Sequence, residues 1–310
     1  MVNLTAKSLG VSPEKILVAS TGVIGDPLPI EKIKKGIPVL VKKLSRAGGM
    51  DAAEAIMTTD IVSKIAAVEY KYWRESIRIG GIAKGSGMIY PRLATMLSFI
   101  TTDIAISPKL LNIALKESSD KSFNMITVDG DTSTNDTVLI LANGLAGNKM
   151  ITNRNSKEFT LFVDALNHVT TALSKMVVRD GEGATKFVEV NVKKAKNFDD
   201  AKKIALSIAN SNLVKTALFG EDANWGRIVS AAGNSGVKFD PDKIRVSIGK
   251  VVVFKNGSGV KGDWERKVRG VMKERDITIT LDLGIGHEEA KVWTTDLSYD
   301  YVKINGSYRS

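Results

Sequence analysis

The chain has 310 residues, 43% of them hydrophobic and 25% charged, enough apolar material for one large or two medium cores and unlike a disordered or fibrous composition. It holds no cysteine and two histidines, His168 and His287, which excludes disulfides, thiolate zinc sites and cysteine nucleophiles and leaves a histidine-rich metal centre without ligands. The net charge of +10 is concentrated toward the first 94 residues, but the lysine-rich stretch there has no aromatic side chains on which bases could stack, so no nucleic-acid partner is expected.

In chain order, "MVNLTAKSLG" lacks the apolar core of a signal peptide, and no apolar run is long enough to span a bilayer. A cytoplasmic location without a membrane partner is the expectation. "EKILVASTGVIG" (Glu14 to Gly25) reads as a buried strand ending in a polar, glycine-containing turn. Glu31 to Arg46 reads as a helix with Ile37, Leu40, Val41 and Leu44 packed inward and its lysines solvated. "DAAEAIMTTD" is a short helix running into a threonine pair. "AAVEYKYWRESIRIGGIA" alternates on both sides of Arg74-Glu75, as a hairpin does, and "MLSFITTDIAI" is a buried strand. Ser107 and Pro108 then open a helix as its cap and first residue.

Farther on, Phe162, Ala165, Val169, Leu173 and Met176 recur at helical spacing behind a cap at Ser156. "TKFVEVNVKK" alternates as a half-exposed strand. "NFDDAKKIALSIANS" reads as a helix and "VKTALFG" as a strand. The last third is mostly β: "KIRVSIGKVVVF", "DITITLDLG" and "EAKVWTTDLS", with "KNGSGVKGDWERK" as a loop. Asp180–Lys186 is a candidate subdomain boundary. Alternating helical and strand periods argue for an α/β or α+β class.

Individual motifs say little alone. In "GIAKGSG", Lys84 precedes Gly85 where a phosphate loop needs lysine after its second glycine, so a tight turn is the better reading. "VDGDTSTNDT" starts like a calcium loop, but Thr134 and Ile140 stand where glycine and a bidentate glutamate are required. A turn with Thr134 or Asn135 capping a helix over "DTVLILAN" is the local expectation. "FGEDANWGRI" fits a capped helix start, and Glu182 lies between two glycines in "RDGEGATK". Thr95, taken alone, is an ordinary β-branched strand residue.

The ordered set is more specific. "LVASTGVIG", "AIMTTD", "RIGGIAKGSGMI", "ATMLSFITTDIAI", "ITVDGDTSTNDT", "DGEGATK", "VKTALFGEDANWGRI" and "YVKINGSYRS" together resemble ornithine acetyltransferase, also called glutamate N-acetyltransferase, from about Thr5 to Ser310. The resemblance implies an α/β DmpA/ornithine-acetyltransferase-like fold, with β-sheets sandwiched between helices and autoprocessing that yields an N-terminal nucleophile. It implies cleavage between Ala94 and Thr95 into chains 1–94 and 95–310, assembled as α2β2. Thr95 would carry acetyl from N2-acetylornithine to glutamate, with no cofactor and acetyl-CoA as a candidate co-substrate. The resemblance makes Thr21 and Gly22 the oxyanion hole, and assigns Lys84, Thr95, Glu182, Asn305 and Ser310 to substrate; no metal is implied.

Three departures accompany it. Ile61 ends a "TTDI" string where the family has TTDT, which removes a side-chain hydrogen bond. Arg92 stands near the scissile bond where a smaller polar residue is usual. Family members also begin upstream of this chain's Met1, and missing strands would expose a sheet edge. The alternatives are an aminopeptidase of related fold using the same nucleophile, and an inactive truncated homologue with a structural or binding role.

Overall fold

The computed structural model describes residues 1–72, 74–90 and 96–307. The first part of the chain is helical and thinly packed: Val2–Leu9 (α1), Ile30–Lys42 (α2) and Gly49–Ala55 (α3). The helix expected near Glu31 is present, but no residue of α2 is buried, and Leu40 and Leu44 are 65% and 71% exposed rather than turned inward. The strand expected over Glu14–Gly25 is absent. Ile16 is extended, yet no strand of either sheet pairs with it, and without a ladder the backbone has no reason to become regular strand.

The predicted hairpin is Lys64–Tyr72 (β1) and Glu75–Lys84 (β2), antiparallel in continuous register. Leu97–Thr102 (β3) adds antiparallel to β2. Pro108–Lys121 (α4) follows, with Ser107 accepting the Leu110 amide as foreseen. It is the crossover that lets Thr137–Ala142 (β4) lie parallel to β3. "TVLILA" is therefore a strand and not a capped helix, because the open edge of β3 overrides the helix preference of its leucines and alanine.

Lys157–Arg179 (α5) packs on β1 and β2, with Phe162, Leu166, Val169 and Leu173 fully buried. Each such side chain is worth about 1.5–3 kcal/mol of hydrophobic stabilisation.

The second sheet runs β10-β5-β9-β6-β7-β8. Its members are Phe187–Ala195 (β5), Arg245–Ile248 (β6), Val251–Lys255 (β7), Ser258–Gly259 (β8), Asp276–Asp282 (β9) and Glu288–Thr295 (β10). β5 is interior, flanked by β10 and β9, so Asn191 is buried along with Val190 and Val192 instead of the strand being half exposed. Phe198–Ala209 (α6) covers β5 and β10.

Asn212–Phe219 (α7) replaces the strand expected at "VKTALFG". Ser211 caps it by accepting the Val214 amide, and buried Val214, Ala217 and Leu218 fall at helical spacing. Trp225–Gly233 (α8) starts at Asn224, whose side chain accepts the Arg227 amide as the sequence implies. Trp264–Lys273 (α9) and β8 occupy part of the stretch expected to be loop, and Tyr299–Ser307 (α10) ends the described chain.

The mixed α/β class holds. The layering is less simple than sheets between helices, since α5 stands against β1 and β2 and also reaches β10. One apolar core runs from Ile77 of β2 through α5 to Val292 of β10. Asp180–Lys186 is no exposed linker: Asp180, Glu182 and Lys186 are all buried. No helix among the described residues is long and apolar enough to cross a membrane.

Candidate active site

The hairpin strand β2 ends at Lys84, which pairs with Leu97 of β3, which in turn pairs with Thr137 of β4. That row lies at one end of the first sheet, where the chain turns through Gly85–Gly87. Lys84 is 1% exposed, and among the described residues no hydrogen bond or ion pair holds its ammonium. Burial lowers its pKa, and the carboxylates of Asp60 and Asp136 offset only part of that. A buried, unpaired cation at a cavity wall is poised to receive a carboxylate.

A buried ionic cluster stands behind it. Lys64, fully buried, donates to Asp60 Oδ1 and, at 2.6 Å, to Asp180 Oδ2. Asp60 also accepts the amides of Gly85 at 2.7 Å and Thr58 at 3.2 Å, while Asp180 accepts that of Ile61 at 3.0 Å. Burial opposes ionisation of Asp60, but the Gly85 amide and the Lys64 ammonium outweigh it and hold the carboxyl below its ordinary range. The cluster thus ties together three segments: the threonine pair at 58–59, the turn after Lys84 and the loop carrying Glu182. A 2.6 Å bond between the Thr59 and Ser86 hydroxyls reinforces the first two.

On the opposite wall, the Glu182 amide donates to the Ser86 carbonyl, and its carboxylate accepts from Asn305 Nδ2 at 2.9 Å. Two glycines permit this approach. A Cβ on Gly87 would sit 2.4 Å from the Glu182 carboxylate, and one on Gly183, where φ is +65°, would sit 2.4 Å from the Tyr301 amide of α10. Asp129 completes the wall. It accepts the Met88 amide at 2.6 Å and the Ile89 amide at 3.0 Å, holding Met88 at a φ of 55°, and takes the Tyr301 hydroxyl at 3.3 Å. Burial raises its carboxyl above the ordinary range despite those amides.

These walls enclose a cavity of about 440 Å³. Of the site residues expected from sequence, Thr21, Gly22, Lys84, Glu182 and Asn305 all line it. Ala94, Thr95 and Ser310, together with Arg92, lie outside the described residues. Met96, the residue after Thr95, is in place: its amide donates to Asp136 Oδ1 at 2.6 Å and its carbonyl accepts the Thr137 amide at 3.0 Å.

Ile61 does not line the cavity; its side chain is 78% exposed, and only its backbone is engaged, by Asp180. Glu182, which as a loop glutamate between glycines had no reason to be buried, is 8% exposed. Sequence reasoning missed Thr58, Thr59, Asp129 and Tyr301 as lining residues. Asp129 lay in the stretch rejected as a calcium loop, where carboxylates in a glycine-containing turn were the available signal.

A cleft at a sheet end, where one buried lysine stands among the carboxylates of Asp129, Asp131 and Glu182 and the polar groups of Thr21, Thr58, Thr59 and Asn305, has the concave, polar lining of a small-molecule enzyme site on a mixed α/β fold. A protein-family model described as the ArgJ family matches residues 1–310, and the chain belongs to that family. The arginine biosynthesis bifunctional protein ArgJ of Symbiobacterium thermophilum is 52% identical over 100% of this chain and 77% of its own length. The protein of the same name from Geobacter sulfurreducens is 49% identical over 99% and 78%. A crystal structure of the Bacillus halodurans arginine biosynthesis bifunctional protein matches at 43% identity and a TM-score of 0.66. That match covers 69% of this chain and 100% of the crystallised one.

Proposed function

We propose that this chain is a self-processing acetyltransferase of arginine biosynthesis, moving acetyl from N2-acetylornithine to glutamate through an acetyl ester on Thr95. The observation that carries the proposal is the convergence of Thr21, Gly22, Lys84, Glu182 and Asn305, distant in sequence, on one cavity whose Lys84 pairs in register with Leu97, two residues after Thr95. Cleavage at Ala94–Thr95 frees an α-amine whose unperturbed pKa is near neutrality, so it serves as general base to its own hydroxyl. That chemistry uses neither histidine, and both are exposed. The Thr21 hydroxyl and Gly22 amide stabilise the oxyanion, a pair of donors of the kind worth about 3–4 kcal/mol. Lys84 receives the substrate carboxylate, Glu182 reads the amino end, and Asn305 and Ser310 complete the pocket.

Ornithine leaves, glutamate takes the acetyl group, and the products are ornithine and N-acetylglutamate. The name "bifunctional" carried by the relatives supports acetyl-CoA as a second donor. The products of cleavage, chains 1–94 and 95–310, would assemble as α2β2 in the cytoplasm, without a cofactor.

The test is intact-mass analysis of the purified protein before and after incubation with N2-acetylornithine. The expected result is two chains, the larger acquiring one acetyl group on Thr95, with parallel-line kinetics when glutamate is varied. Thr95→Ala remains one unlabelled chain. A folded wild-type protein that stays in one piece would overturn the mechanism.

A further inference from the structure

Charge is least balanced between Lys243 and Arg275. Ten lysines or arginines stand there against three carboxylates, a surplus of seven in a chain whose net charge is +10. Five of the ten line one cleft of about 510 Å³ at the far edge of the second sheet. Arg245 opens β6, Lys250 precedes β7, Lys255 ends β7, Lys261 follows β8 and Lys267 lies near the start of α9. Asn256 and Gly257, at φ of 52° and 71°, make the two-residue turn that folds β8 back on β7. The Val260 amide still reaches the Val253 carbonyl, so Lys261 returns beside the middle of β7.

Nothing described in the fold compensates these five cations. None of them enters an ion pair among the described residues. Asp263, the acidic residue of the lining, is held by Arg266 Nε at 2.5 Å, and Arg266 does not line the cleft. Asp282, the register partner of Arg245 on β9, accepts from Lys194 at 2.8 Å instead. On its other side Arg245 stands directly opposite Lys255 of β7, a like-charge pairing that costs stability. Unpaired cations around a concavity focus positive potential into it and concentrate anions there.

The rest of the lining is apolar: three valines and Trp264, which is half-buried. An indole held in place beside clustered ammonium and guanidinium groups offers a stacking face next to donors for phosphate oxygens. The volume falls within the range of small-molecule sites. The cleft shares no lining residue with the cavity that holds Lys84.

We propose that this cleft is a second binding site, for a nucleoside polyphosphate. Trp264 takes the base, and Arg245, Lys250, Lys255, Lys261 and Lys267 take the phosphates.

The experiment titrates the purified full-length protein with metal-free ATP, adenosine, inorganic tripolyphosphate and a single-stranded oligonucleotide, read by calorimetry and tryptophan fluorescence. ATP should bind at one saturable site per chain, more tightly than adenosine or tripolyphosphate by about tenfold or more. Lys255→Gln combined with Lys261→Gln changes two exposed side chains and should weaken ATP by about tenfold or more. Trp264→Leu should weaken ATP by about tenfold and leave tripolyphosphate unchanged, as loss of one stacked base predicts. Should that variant not fold, the lysine pair and the wild-type comparison of ATP with tripolyphosphate still decide. Absence of saturable ATP binding overturns the proposal, as does an unchanged affinity in the lysine variant. Tripolyphosphate bound as tightly as ATP overturns the base contact. An oligonucleotide bound more tightly than ATP overturns the small-molecule assignment in favour of a nucleic-acid surface.

Discussion

α2 and α5 are both amphipathic in sequence, yet they meet opposite fates. Nine side chains of α5 are buried, including Phe162, Leu166 and Leu173, whereas α2 buries none. The same contrast divides the site. Thr21 and Gly22 come from the thinly packed stretch before β1, in which Ala6 and Ala53 are the buried hydrophobic residues. Lys84, Glu182 and the Asp129 wall come from the packed body. The oxyanion hole proposed for Thr21 and Gly22 would then sit in the less stable region and the charged groups in the more stable one, because local stability follows local burial.

The Asp60–Lys64–Asp180 cluster joins these regions, and breaking it should give the largest effect. Lys64→Met leaves two buried carboxylates without their cation, a change that costs about 3–5 kcal/mol when one partner of a buried pair is removed. Denaturant titration should show that loss, and amide exchange should accelerate at Thr58 and Ile61, whose N–H groups are held by the same carboxylates. A loss below about 1 kcal/mol would mean that the ion pairs are not what fastens the threonine segment to the body.

Next in size is a cavity in the body. Leu173→Ala on α5 removes a side chain of 0% exposure and should cost about 2–5 kcal/mol, read as a lower denaturation midpoint with unchanged slope. Cleavage at Ala94–Thr95 should survive this change wherever the protein remains folded, since Leu173 does not line the cavity.

What the sequence made legible follows the same division. In the body, period and caps sufficed: Ser107, Ser156 and Asn224 cap their helices, and the β1–β2 hairpin falls where alternation changed sides. Errors came where tertiary pairing outweighed local preference, as in β4, or where a cap was overlooked, as with Ser211 before α7. In the first part of the chain, local pattern was sound for α2 but promised burial that nothing in the described residues supplies. The site divided differently. Lys84, Glu182 and Asn305 were reachable through motif resemblance, and the fold places all three in the lining of one cavity. The Asp60–Lys64–Asp180 cluster was not, because Asp180 lies far from the other two in sequence and only the fold brings it within hydrogen-bond distance of Lys64.

The smallest expected effect tests the other side of the comparison. Leu40 and Leu44 project from or just beyond the end of α2 with most of their surface in water, so Leu40→Ala with Leu44→Ser removes little buried area. Stability should stay within about 0.5 kcal/mol of wild type, as for surface substitutions that touch no cap, core or ion pair. Exposed leucines so close together, with Val39 beside them at 53% exposure, are nevertheless the kind of apolar patch that marks a contact surface. A drop above about 1 kcal/mol that grows as the protein is diluted would show that α2 is covered in solution, because stability then depends on concentration through association. The two helices would in that case differ in what buries them and no longer in whether they are buried.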